Sequence, residues 1–169
     1  MPRWPSVGTE ADRPPLTPPS VAELEARLGH AFRSADLLAR ALTHPSYAHE
    51  HPPAPHNESL AFLGDAVVGL LVAELLLARS PEDGAGALTQ RRAALVSAPG
   101  LAGWAVRLDL PSHLRVGRGE EQGGGRGKES ILATLFEAVI GALYLDGGLE
   151  PARTLIAGLL DEAEGPRPS

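Results

Sequence analysis

The sequence contains no cysteine, which excludes disulfides and thiolate metal sites outright. Lys128 is its only lysine, and aromatics make up 4% of its 169 residues. No uninterrupted run of about 18 apolar residues occurs, so no membrane-spanning segment and no membrane partner are expected. Behind Arg3 there is no apolar stretch of the kind a secretory leader needs, and cytoplasmic residence is the expectation. A basic excess is missing as well. The net charge of -6 has the wrong sign for a dedicated nucleic-acid binder. It does not exclude a metal-dependent nuclease, whose site is acidic by design, because the arrangement of charge matters more than its sum. Convincing period-2 alternation and internal repeats are also absent. What is present is apolar, 43% of the chain, enough to build the core of one domain with short tails.

Residues 1–19 hold six prolines and few apolar positions and read as a disordered tail. Order is expected from Ser20, an N-cap with Glu23 three residues on, the pattern of a capping box. Val21, Leu24 and Leu28 follow at helical spacing and Gly29 closes the helix. A second helix is expected over 34–42, then a stiff Pro-rich loop over 51–56. Asn57 opens the longest helix, to about Ala78, apolar nearly all round and so expected to be central and buried. Further helices are expected over 88–97, after a Pro99-Gly100 interruption, over 128–145 and over 149–162. The glycine-rich stretch 117–127 reads as a flexible loop. The fold class is all-α, with the domain spanning 20–163 and a C-terminal tail over 164–169.

Three stretches carry the chemistry. The first is Leu42-Thr43-His44-Pro45-Ser46-Tyr47. The second is Asn57-Glu58-Ser59-Leu60-Ala61-Phe62-Leu63-Gly64-Asp65. The third runs from Gly117 through Gly127-Lys128-Glu129-Ser130-Ile131-Leu132-Ala133-Thr134-Leu135-Phe136-Glu137 to Tyr144-Leu145-Asp146-Gly147-Gly148. In order and separation these resemble the ribonuclease III family over roughly residues 20–163, with Phe62-Leu63-Gly64-Asp65 as its signature. The resemblance implies a helical homodimer that hydrolyses double-stranded RNA to 5′-phosphate and 3′-hydroxyl ends in RNA processing, ribosomal RNA included. It implies two Mg2+ per site, held by two acids on the signature helix and two on the later helix.

Carried over position by position, Asp65 and Glu137 match that acid set. Ala61 stands where the first Glu belongs and Thr134 where the Asp belongs. Positions 58, 61 and 65 share one helix face, as do 134 and 137. Four carboxylates on one spot repel unless cations lie between them. Two such losses therefore imply weak or absent activity, with room for one weakly held Mg2+. Glu58 has two readings, an edge ligand or an acid favoured by a helix N-terminus. Glu82 and Asp83 lie where they would compensate. Arg126, Lys128 and Arg91 read either as solvated charges or as phosphate contacts. Histidines 44, 49, 51 and 56 match no metal-ligand spacing, and His44 is expected to anchor the turn after the second helix. By resemblance, Phe62 projects into a partner subunit. Many relatives continue into a double-stranded-RNA-binding domain that these residues do not include, so weak RNA binding is expected. The competing reading is an inactive dimeric module that binds RNA, a ribosome or an active paralogue.

Overall fold

The computed structural model describes residues 20–164. The tails expected over 1–19 and 164–169 fall outside them, except Glu164 at the end of the last helix. The described chain is all-α. Its helices are α1 (Val21–Leu28), α2 (Ala35–Ala41), α3 (Pro45–Glu50), α4 (Glu58–Arg79), α5 (Ala85–Leu95), α6 (Ala98–Arg107), α7 (Leu110–His113), α8 (Arg118–Gln122), α9 (Glu129–Gly147) and α10 (Leu149–Glu164). Among the described residues no strand forms; Thr43 and Arg115 make an isolated bridge.

Local rules explain most boundaries. Ser20 and Glu23 form the capping box, and Gly29 takes the left-handed conformation (φ 66°) that ends α1 at little steric cost. Pro99 does not interrupt a helix as expected. It lies in the first turn of α6, where its missing N–H costs nothing, and the Ser97 hydroxyl accepts from the Gly100 N–H. The stretch 117–127 is likewise not a free loop: it folds into α8 and a short 3-10 turn over Gly125–Gly127. Its fasteners come from elsewhere in the chain. Glu50 accepts the Arg118 N–H with both carboxylate oxygens, at 2.9 and 3.1 Å, and the Ser46 hydroxyl accepts the Gly117 N–H at 2.9 Å.

The helix at the centre is α9, not α4. Ile131, Leu132, Leu135, Phe136, Val139, Ile140 and Leu143 are all buried on it, so it is wrapped on most sides, with Leu145 exposed near its end. Its neighbours are chiefly α4 and α6, with Trp104 of α6 tilted against Phe136 at 5.4 Å between ring centres. By contrast α4 buries one side, through Leu60, Val67, Val68, Leu71 and Val72. It leaves Phe62 84%, Leu70 54% and Leu77 56% exposed along the other. By length and composition both α4 and α9 qualify as membrane spans. An uninterrupted-run criterion misses them because Asp65, Glu74 and Glu137 break the runs. Their mutual packing accounts for the apolar surface of α9 and for one face of α4.

Candidate functional site

The α4–α9 seam is built on two glycines. A Cβ at Gly64 would coincide with the Glu137 carbonyl oxygen, and one at Gly141 with that of Leu60. Only glycine permits this backbone-on-backbone approach. It sets Asp65, the next residue on α4, beside Glu137 of α9. Asp65 is exposed and Glu137 is half-buried. The Glu137 carboxyl is pushed up to about 7, first by loss of solvent and then by the Asp65 carboxylate. This is the direction expected of an acid with a like charge nearby and, among the described residues, no donor to relieve it.

The two positions where the resemblance expects acids are occupied differently. Ala61, one turn before Asp65, is 6% exposed and belongs to the apolar core. Thr134, one turn before Glu137, donates its hydroxyl back to the Ser130 carbonyl at 3.0 Å. Glu58 lies at the start of α4. Its carboxylate is 66% exposed and lies 3.6 Å from the His56 ring, an ion pair when that ring is protonated. Asp83 takes Arg91 at 3.1 Å. Among the described residues no group of three or more imidazoles and carboxylates converges as a metal site. Asp65 and Glu137 are the two carboxylates that this seam brings together, and Mg2+ often takes one or two carboxylates with waters.

The three expected phosphate contacts are each engaged inside the chain. Arg126 donates to Glu121 at 2.7 and 2.9 Å and to the carbonyls of Pro111 at 2.7 Å and Leu114 at 2.6 Å. It thereby staples the 3-10 turn to the end of α7. Lys128 pairs with Glu120 at 2.5 Å, and that salt bridge holds the Glu120 carboxyl below its usual range. Arg91 donates to the Ser80 hydroxyl at 2.9 Å as well as to Asp83. Within the chain the two guanidiniums act as structural staples, and the Lys128 pair lies exposed.

His44 does anchor its turn. Its ring nitrogen accepts from the Ser46 N–H at 3.2 Å and caps α3, and its backbone N–H donates to Arg115 at 2.9 Å. Burial pushes the imidazole pKa down, against the opposing pull of Glu120 and Glu58. Lys128 and His56 push it further down. The roles of Ser46, Glu50 and Glu120 escaped the sequence reading. The signal for them was the Gly117-Arg118 start of a short helix with no side-chain cap of its own, which has to borrow acceptors.

Comparison with known proteins places this geometry. A family model described as Ribonuclease-III-like matches residues 34–162. Among curated proteins, Ribonuclease 3 of Heliobacterium modesticaldum is 51% identical over 144 residues, covering 84% of this chain and 61% of that protein. Ribonuclease 3 of Streptomyces coelicolor is 52% identical over 138 residues, 82% of this chain and 50% of that one. The chain thus spans between half and about three fifths of these relatives. The nuclease domain of ribonuclease III from Campylobacter jejuni, described for flexibility in a region involved in dimer formation, superposes with a TM-score of 0.78 at 38% identity. That match covers 85% of this chain and 97% of the other.

Proposed function

The chain belongs to the ribonuclease-III-like family, and on that premise we propose that it engages double-stranded RNA as a homodimer through a cleavage centre that has lost most of its charge. As a ribonuclease III-type nuclease domain it has phosphodiester hydrolysis as its ancestral reaction. The proposed setting is cytoplasmic RNA processing, ribosomal RNA included. In this reading Asp65 and Glu137 hold at most one Mg2+, which would supply a positive charge opposite the scissile phosphate. What this chain's own residues do is narrower. Asp65 and Glu137 present acceptor oxygens, and the proton that Glu137 keeps near neutral pH has to leave before a cation sits there.

The observation that carries the reading is the fate of the two replaced positions: Ala61 is in the core and the Thr134 hydroxyl is turned to its own helix. The dimer rests on the exposed stripe of Phe62, Leu70 and Leu77, too large an apolar face for solvent. The same two observations favour, as second reading, an inactive dimeric module that binds RNA, a ribosome or an active paralogue.

The test is single-turnover cleavage of a double-stranded RNA with and without Mg2+. Ala61→Glu combined with Thr134→Asp is expected to raise the rate by at least about two orders of magnitude, with each change alone giving far less. A native chain that already cuts as fast as the double variant defeats the weakened-centre reading. RNA binding without cutting by either protein favours the module. For the dimer, Phe62→Ala is expected to convert a micromolar-stable dimer into monomer by light scattering, with helicity unchanged.

A further inference from the structure

Away from the α4–α9 seam, a cavity of about 390 Å³ opens between α2, α3 and the Pro-rich segment 51–56. Its walls include Tyr47, Pro55, Thr43, Asp36, Arg40 and Arg115. Three features of it point to one ligand. The Tyr47 ring is backed by His51, stacked at 4.1 Å between centres and 14° between planes, and the His51 ring is fixed in turn by a 3.0 Å hydrogen bond to the Tyr47 carbonyl. Tyr47 thus brings to the cavity wall an aromatic ring that His51 backs from outside the lining. The guanidinium of Arg115 is exposed and meets no carboxylate among the described residues. Arg40 differs, with its donors committed to the His56 carbonyl and the Ser59 hydroxyl. Asp36 adds an exposed acceptor to the same walls.

A flat aromatic platform, a free guanidinium and a carboxylate acceptor are the groups that hold a base by its face, a phosphate by its charge and an exocyclic amine by a hydrogen bond. The volume is within the range of small-ligand sites. In a chain of net charge -6, an unpaired arginine next to a stacked ring pair is a local exception to the prevailing sign. We propose that this cavity holds one unpaired RNA nucleotide, its base stacked on Tyr47 and its phosphate against Arg115. The identity of the ligand rests on the RNA reading above. Tyr47 lies one turn beyond His44 on α3.

The direct test is anisotropy of a fluorescein-labelled single-stranded pentaribonucleotide on the full chain, in EDTA so that nothing is cut. A blunt RNA duplex is measured in parallel. The native chain is expected to bind the oligonucleotide, Tyr47→Ala to weaken it at least about fivefold, and Tyr47→Phe to stay within about twofold because stacking survives. Arg115→Ala, a surface change that guards against misfolding of the Tyr47 variant, is expected to weaken binding and flatten its salt dependence by about one ion. Neither substitution should change the affinity of the blunt duplex. An oligonucleotide that fails to bind, or that binds Tyr47→Ala and Arg115→Ala as well as the native chain, overturns the cavity whatever the duplex does. A duplex that fails to bind while the oligonucleotide binds through Tyr47 supports the cavity and counts against the duplex-binding function.

Discussion

Glu137 and Asp146 ride the same helix and titrate in opposite directions. Asp146, near the end of α9, is buried and fully wired. His30 donates to it at 2.8 Å, and the backbone N–H groups of Arg33 and Ser34 each donate at 3.0 Å. Those donors, led by the Arg33 amide and His30, hold its carboxyl at about 2. Glu137 loses solvent at the α4–α9 seam, faces Asp65, finds no comparable donors and rises to about 7. A carboxylate given donors stabilises the fold. One kept beside another acid with none destabilises it until a cation or proton arrives. The first is a structural acid tying α1, the α1–α2 turn and α9 together. The second shares its seam with Asp65, and the neighbouring positions Ala61 and Thr134 bring no charge to it.

The comparison breaks most completely if the seam is opened. Gly64→Ala drives a methyl into the Glu137 backbone, and no flexible side chain can yield there. The expected loss exceeds about 3 kcal/mol in denaturant melting, at the severe end for overpacking. A near-neutral result would mean that the helices do not touch as described. The Asp146 half is sharpened by acid. Its folded pKa is below the unfolded value, so its contribution is fully present above about pH 4 and is lost as pH falls toward about 2. Denaturant midpoints measured across that window should fall steeply. In Asp146→Asn the fall should flatten, because the neutral amide neither titrates nor satisfies three donors.

Much of this was readable in sequence, and the exceptions have physical causes. The capping box at Ser20 and the span of α10 follow from local pattern alone, whereas the pairing of Asp65 with Glu137 came from the family resemblance. Asp146 stands in plain view in the Tyr-Leu-Asp-Gly-Gly stretch, yet its role was invisible. Its partners are more than a hundred residues away, and local patterns carry no such information. The loop over 117–127 looked free because glycine count measures local stiffness. Glu50, Ser46 and Arg126 supply order from outside that count. The centre was assigned to α4 because hydropathy does not say which apolar face meets the chain's own core. Phe62, 84% exposed, shows that part of α4 faces away from that core.

The smallest expected effect isolates the Glu137 half. Replacing Glu137 by Gln keeps its size and removes its charge. The native carboxyl is raised, so relative to the unfolded chain its contribution is intact below about pH 4.5 and declines as pH rises through about 7. The substitution should therefore be near neutral at pH about 4.5 and stabilising at pH about 8. The group is half exposed, so the gain is discounted for solvent screening to about 1 kcal/mol. Asp65→Asn should capture part of the same gain, and the two together less than their sum, because each relieves the same repulsion. Millimolar Mg2+ should stabilise the native chain slightly at the higher pH and leave Glu137→Gln unmoved, since the ligand charge is gone. Denaturant midpoints at the two pH values, with and without Mg2+, provide the readout. A Glu137→Gln chain less stable than native at pH about 8 would mean that hidden donors satisfy this carboxylate, and the contrast with Asp146 would collapse.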